Sequence, residues 1–108
     1  MPAVARVGDT VNTGHGCDTT TTILAVGSAN NVYAEGLLVA LQGSSLAPHN
    51  ITNPAQPQPP NPPCIPHPAQ KVNIGSSTVR VNGRAIARVG DSADLGNVSR
   101  GASTVFAN

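Results

Sequence analysis

The chain has 108 residues, a formal net charge of +1 and 10% charged residues, with no run of basic side chains. Proteins that bind nucleic acid need a positive surface to contact phosphates, so this composition excludes nucleic acid as an expected partner. The apolar residues are mostly Ala and Val, with no Trp, one Tyr and one Phe, so a single domain over residues 1–108 has a thin core. A metal, disulfides or a partner usually stabilises small folds of this kind.

The sequence also bears on where the protein is made and on the state of its cysteines. No run of about 20 apolar residues exists, and the N-terminus lacks the basic start and apolar run of a secretory signal. We therefore expect synthesis in the cytoplasm without a signal peptide. Cys17 and Cys64 could form one disulfide, but a reducing cytoplasm favours metal binding or free thiols instead.

The opening phrase of the chain is repeated inside it. Residues 1–9, MPAVARVGD, return as GRAIARVGD at residues 83–91. The final residues 101–108, GASTVFAN, match GSSTVRVN at residues 75–82. The last and first residues therefore occupy neighbouring positions of the repeat, and the two ends together make one complete copy.

A fainter copy follows the strand-like run TTTT at residues 19–22. It covers residues 28–44, SANNVYAEGLLVALQGS, and keeps the apolar and glycine positions of the copy at residues 75–91. Leu41 and Ser44 stand where the other copies have Arg and Asp, so this copy lacks their ion pair. Its run Leu37–Leu41 is typical of a buried strand.

Each copy has the pattern of a β-hairpin. In the third copy, alternating residues flank Asn82-Gly83, a pair that favours a type I′ turn between antiparallel strands. No segment has a convincing helical period. The sequence therefore predicts an all-β fold in which β-hairpins are arranged with pseudo-threefold symmetry and joined by long loops.

Two of the copies carry an Arg three residues before an Asp, as Arg6 with Asp9 and Arg88 with Asp91. We predict that each Asp binds backbone N–H groups of its turn and pairs with the Arg. A surface ion pair contributes well under ~1 kcal/mol, so the predicted role is positional. These four residues are also the predicted partner-binding positions at the repeat corners.

A proline-rich loop, residues 48–68, contains nine of the ten prolines. Proline lacks a backbone donor and has a fixed φ, which excludes a helix or a central strand. Alone, such a stretch is typical of a polyproline linker. Because it joins two repeat copies and holds Cys64 and two of the three histidines, we predict a long loop pinned by a metal.

Five residues are candidate metal ligands, namely His15, Cys17, His49, Cys64 and His67. Thiolate and imidazole suit a tetrahedral zinc ion, and a Cys64-x-x-His67 pair can bind one ion. The predicted set is His15, His49, Cys64 and His67, with Cys17 as the alternative ligand and iron as the alternative metal. Four protein ligands leave no position for water, which favours a structural site. The competing interpretation makes His15 and His49 exposed loop residues.

No metal-binding role is predicted for the remaining carboxylates. Asp18, Glu35 and Asp94 are predicted to be solvated surface groups. The segment Asp91–Ser99, between the third copy and the split copy, is predicted to be a plain connection without ligands.

The phrases MPAVARVGD, HGC at residues 15–17, and GSSTVRVNGRAIARVGD with the final GASTVFAN resemble the PAAR-repeat family over nearly the whole chain. The resemblance implies a conical β structure with a zinc ion near its apex, held by His and Cys. It implies a monomer whose wide base binds a homotrimeric β-helical spike in a phage tail or type VI secretion apparatus. Its role would be structural and not enzymatic: the tip caps and sharpens the spike, which breaches a target envelope.

The sequence departs from the family pattern in ways that shape these expectations. The second copy lacks its Arg and Asp, so one face of the base is expected to bind its spike chain more weakly. The chain stops at Asn108, so no toxin domain is expected, and with the HGC phrase this favours a virion tail tip over a type VI secretion tip. The other classes are a small zinc enzyme, for which Asp18 is the one nearby base, and an interaction module recognised through its prolines.

Overall fold

The structure, a computed structural model, describes residues 2–27, 31–52, 64–67 and 70–108. In these residues the fold is all-β, as predicted. The strands are β1 (Thr10–Asn12), β2 (Thr20–Thr22), β3 (Tyr33–Ala34), β4 (Leu37–Leu38), β5 (His49–Thr52), β6 (Cys64–His67), β7 (Arg80–Val81), β8 (Arg84–Ala85), β9 (Ser92–Ala93) and β10 (Gly96–Val98). A search of the described residues found no helix long and apolar enough to cross a membrane.

The strands form one four-stranded sheet and several hairpins. The sheet has the order β2-β1-β10-β9, and all its neighbours are antiparallel. Val11 in β1 lies opposite Thr21 on one side and Val98 on the other. The hairpins are β3–β4, β5–β6 and β7–β8.

The hairpin turns follow the repeat. Asn82 and Gly83 have φ angles of 52° and 84°, and Glu35 and Gly36 have 54° and 81° at the equivalent positions. Positive φ at both central residues defines a type I′ turn, which matches the twist of the flanking strands. The predicted turn is therefore confirmed, and the faint copy has the same one.

The split copy pairs in the same way as the intact ones. At one repeat position the backbone partners are Arg80 with Ala85, Tyr33 with Leu38, and Phe106 with Ala3. The C-terminal and N-terminal segments thus supply the two sides of a third hairpin-like unit.

A closed ring of hydrogen bonds marks the centre of the fold. Ala5 N donates to Ala87 O, Ala87 N to Ala40 O, and Ala40 N to Ala5 O, each at 2.9 Å. The ring members occupy one repeat position and are fully buried. Three equivalent residues that bond in a cycle define a pseudo-threefold axis, which confirms the predicted symmetry.

The core repeats the same symmetry. One buried cluster combines the alanine ring with two further sets of equivalent residues, namely Val11, Leu46 and Ala93, and Ile23, Val72 and Val98. A second cluster lies nearer the hairpin turns and consists of Val4, Ala34, Val39, Leu41, Val81, Ile86, Ala102 and Ala107. Side chains this small bury enough apolar surface only by meeting around a common axis.

The alanine ring divides the molecule into two ends. In each copy the chain runs from the hairpin turn to the alanine ring and on to the repeat corner. Three residues after the corner it reaches residue 12, 47 or 94, depending on the copy. We call the side with Gly36, Gly83 and the chain termini the turn end, and the side with His15 and His49 the histidine end. A taper between them, the predicted cone, stays a prediction.

The repeat corners bind their own backbone. Asp9 Oδ2 accepts hydrogen bonds from Arg6 N at 2.8 Å and Arg6 Nε at 3.0 Å. Asp91 Oδ2 accepts from Arg88 N at 2.8 Å and Arg88 Nε at 3.1 Å. The paired carboxylates raise the pKa of both arginines.

The corner pairs are internal to the fold. Both aspartates are buried, Asp9 with only 1% of its surface exposed, so these are not the surface ion pairs that were expected. In the second copy, Ser44 Oγ accepts a 2.9 Å hydrogen bond from Leu41 N, so the turn keeps its backbone contact without the charge. This fits the predicted positional role, and partner binding by the corners stays a prediction.

The proline-rich loop differs from its prediction where the structure describes it. Residues 49–52 and 64–67 pair as the antiparallel hairpin β5–β6. Pro66 is tolerated in β6 because a two-stranded ladder leaves each strand with one unpaired edge. Residues 53–63 and 68 of this loop lie outside the described residues, as do Met1 and residues 28–30 of the second copy.

Candidate metal centre

Four donor side chains meet at the histidine end. His15 lies in the loop between β1 and β2, His49 begins β5, His67 ends β6, and Asp94 lies in the turn between β9 and β10. One ligand atom from each lies within 4.8 Å of all the others. His49 and His67 are direct cross-strand partners, which explains why their rings are neighbours.

The donor atoms of the four side chains lie close to one another. His15 Nε2 is 2.9 Å from Asp94 Oδ1, and His49 Nε2 is 2.8 Å from Asp94 Oδ2. His67 Nδ1 is 3.3 Å from His49 Nε2 and 3.6 Å from Asp94 Oδ2. Neighbouring donors around zinc lie about 3.3–3.6 Å apart when the bonds are about 2.0–2.2 Å. The two contacts of Asp94 with His15 and His49 are shorter than this and the donor atoms lie within 4.8 Å of one another, so the group would have to adjust in order to surround one ion.

The protonation pattern of His49 also fits a cation. Its Nδ1 lies 3.0 Å from Ala47 O, and because a carbonyl only accepts, Nδ1 must carry the proton. In the neutral ring, Nε2 then presents a lone pair towards Asp94 and His67, which present lone pairs of their own. His49 is only 7% exposed, and the Asp94 side chain 3%. A positive charge is needed between these atoms, and either a proton on Nε2, which makes the contact with Asp94 an ion pair, or a bound cation supplies it.

The segment that carries His15 is docked on the β5–β6 hairpin. Thr13 Oγ1 accepts from His15 N at 3.2 Å and donates to Asp18 O at 2.8 Å. Asp18 N donates to Asn50 O at 3.1 Å, and Asp18 Oδ2 accepts from Asn50 N at 2.8 Å. Asp18 is therefore not simply a solvated group.

The two cysteines correct the predicted ligand set. Cys17 and Cys64 form a disulfide with Cα atoms 6.0 Å apart, so the preference for free thiols or metal binding is wrong in this structure. A disulfide sulfur is no thiolate, and neither Cys64 nor the alternative Cys17 belongs to the donor group. The structure brings His15, His49 and His67 together; their binding of a metal stays a prediction.

Asp94 is the donor that the sequence analysis missed. Neither the expected solvated carboxylate nor the expected ligand-free connection Asp91–Ser99 matches its buried place among the histidines. The signal was present in the repeat: Asp94 follows its corner by three residues, as Asn12 and Ala47 follow theirs. The symmetry that predicts His15 and His49 at one end therefore also places Asp94 there.

The arrangement could hold a metal ion. Three imidazoles and one carboxylate together offer four ligands, and four protein ligands around a tetrahedral ion leave no position for water. The Asp18 carboxylate, the base that a zinc enzyme would need, is bonded to Asn50 instead.

A different carboxylate fastens the turn end. Glu35 accepts hydrogen bonds from Arg6 Nη1 at 2.8 Å, Ser103 N at 3.1 Å and Ser103 Oγ at 2.8 Å, and a further one from Thr104 Oγ1. The hydroxyl and backbone donors of Thr104 and Ser103 lower the pKa of Glu35 to about 2. Glu35 is exposed, as expected of a surface carboxylate, but it also joins the second hairpin to the C-terminal segment through these hydrogen bonds.

The turn end carries an exposed apolar surface that follows the symmetry. Val32, Val79 and Val105 occupy one repeat position and are 40%, 36% and 36% exposed. Tyr33 and Phe106, which share the next position, are exposed as well. We call these five residues the apolar ring.

The chain matches the sequence pattern of a known family. The sequence pattern of a family described as the PAAR motif matches residues 13–98, a range that contains all four donor residues. Among the curated proteins, no match was found.

Proposed function

The chain belongs to the PAAR-motif family, and from this we propose that it is the membrane-piercing tip of a contractile phage or phage-like tail. The family comprises structural spike-tip proteins of contractile injection systems, and its members cap a spike trimer. In the proposal this chain, one domain over residues 1–108 and a monomer on its own, binds the end of a homotrimeric β-helical spike and sharpens it. It has no enzymatic role.

The apolar ring is the observation that carries the proposal. A trimer presents the same surface three times around its axis, and a partner that binds all of it as a single chain must repeat its own surface. Val32, Val79 and Val105 do this at nearly equal exposure. Docking would cover this apolar surface and the unpaired strand edges at the end of the spike.

In the proposal, the histidine end forms the point of the tip. In the proposal, His15, His49, His67 and Asp94 hold one zinc ion, with iron as the alternative. A bound ion ties together the loop after β1, the β5–β6 hairpin and the β9–β10 turn, which are separate segments of the chain. The ion thereby keeps the point rigid as it contacts the target envelope transiently under force.

A type VI secretion tip is the second candidate, because the family serves both machines. The phage assignment is based on the HGC phrase at residues 15–17. Binding to the spike of one machine and not to that of the other separates the two. A small zinc enzyme and a proline-recognition module rank below both, and deletion of residues 54–63 should leave spike binding intact unless the prolines are the binding element.

Charge substitutions in the apolar ring test the proposal. Val79→Asp and Val105→Asp should each weaken binding to the purified spike trimer by about tenfold or more, because a buried charge has no partner there. Val26→Asp is the matched control, since Val26 is 69% exposed but lies outside the ring. Equal affinity of all three variants, measured by calorimetry, would exclude docking through the turn end.

A further inference from the structure

The disulfide lies beside the donor group and connects its parts. Cys17 follows His15 by two residues, and Cys64 precedes His67 by three residues in β6. β6 in turn pairs with β5, where His49 lies opposite His67. The bridge is thus the covalent link between the loop that carries one histidine and the hairpin that carries the other two.

The other contacts that the described residues show between the loop and the hairpin are non-covalent. Asp18 and Asn50, both exposed, form a pair of hydrogen bonds, and the His15 ring lies against the rings of His49 and His67. Cys17 has a φ of 65°, a conformation that is unfavourable for a residue with a Cβ. A strained, exposed segment relaxes easily when its covalent link is broken.

The bridge is also within reach of solution thiols. Cys17 and Cys64 are both exposed, unlike His49 and Asp94. Thiolate attack on a disulfide requires access to a sulfur, and an exposed bridge provides it.

We propose that the Cys17–Cys64 disulfide is a redox-controlled clamp on the metal centre, an inference that rests on the proposed metal binding. When oxidised, the clamp keeps His15 beside His49 and His67, and the ion exchanges slowly. Two molecules of a small thiol such as glutathione reduce the bridge to two cysteine thiols and leave as their own disulfide. His15 then moves away with its loop, and the ion exchanges faster.

The same thiol–disulfide exchange makes the state of the clamp depend on the compartment in which the protein lies. In a thiol-rich compartment the reduced centre loads its ion quickly. In an oxidising compartment a small-molecule disulfide accepts two electrons and two protons from the cysteines, and is released as two thiols while the bridge closes. The ion is then held most firmly when the tip is outside the cell that made it.

Metal release measures the clamp directly. Zinc-loaded full chain is mixed with an excess of a zinc-chelating dye, and the rate of colour change is recorded with and without a trialkylphosphine. The phosphine reduces the bridge to two thiols and takes up an oxygen from water. Cys17→Ser/Cys64→Ser provides a centre without a clamp, and Val81→Ala, at the turn end, lowers stability while keeping the bridge.

The expected result is a release rate at least tenfold higher for the reduced wild type and for the double serine variant, with Val81→Ala close to the oxidised wild type. Equal rates with and without reductant would overturn the clamp, as would faster release from Val81→Ala, which would attribute release to general unfolding. Slower release from the reduced wild type than from the double variant would also overturn it, because the thiols would then be ligands. A wild type that binds no zinc at all would instead refute the proposed metal centre itself.

Discussion

At the scale of single residues, Asp94 decides the chemistry of the donor group. It is the one carboxylate of the group, its oxygens lie within 2.9 Å of His15 Nε2 and His49 Nε2, and its side chain is only 3% exposed. A neutral replacement of the same shape would leave three imidazoles and remove the negative charge that offsets a divalent ion.

Asp94→Asn should therefore lower zinc affinity by more than about 100-fold, since loss of a residue that merely orients a ligand already costs about 10–100-fold. Asp18→Asn is the matched control, because Asp18 lies in the same region but outside the donor group. Metal content per chain, measured by mass spectrometry after dialysis against a weak chelator, reports the difference. Full zinc content in Asp94→Asn would remove Asp94 from the ligand set.

Glu35 predicts a pH dependence of stability. Its pKa is lowered from 4.5 to about 2 in the folded chain, so the unfolded chain binds more protons between those values. The stabilisation from Glu35 is therefore fully present above pH 4.5 and is lost as the pH falls towards about 2. The difference in unfolding free energy between wild type and Glu35→Gln should shrink over this window in urea titrations. A difference that is independent of pH would contradict the contacts with Ser103 and Thr104.

At the scale of elements, the repeat unit explains why a sequence with so few large apolar residues folds. Each copy supplies one alanine to the ring, and the ring closes because each backbone N–H finds the carbonyl of the next copy. The space around the axis suits a methyl group, so the fold depends on small residues at this position.

Ala40→Leu should consequently cost about 1–3 kcal/mol of stability, because extra carbons in a packed core force neighbours apart. Ala25→Leu, at an exposed position, should change stability by less than about 0.5 kcal/mol. Urea unfolding of both variants provides the comparison. An Ala40→Leu chain as stable as the control would mean that the ring is not tightly packed.

The hairpins are the elements that the sequence predicts well. Asn82-Gly83 and the repeat alignment predict turns, pairing and symmetry, because they depend on local φ preferences and on period-2 patterning. The disulfide was not predictable in this way, because the distance between Cys17 and Cys64 depends on the tertiary fold. Asp94 was not predictable from its residue type, since only its place in the repeat puts it beside the histidines.

At the scale of the whole molecule, the turn end and the histidine end have different proposed roles. The turn end offers an apolar surface in three similar parts, and the histidine end gathers donors from separate segments around one point. The corner ion pairs between them have buried aspartates and bind their own backbone, and partner binding by these corners stays a prediction.

The stoichiometry of the complex with a spike trimer is the most direct test of this account. Native mass spectrometry of the purified chain mixed with its spike should give one chain per trimer, because the pseudo-threefold turn end occupies all three spike subunits at once. Three chains per trimer would contradict the account, since each subunit would then bind its own copy. The absence of any complex with either a phage or a type VI spike would contradict it equally.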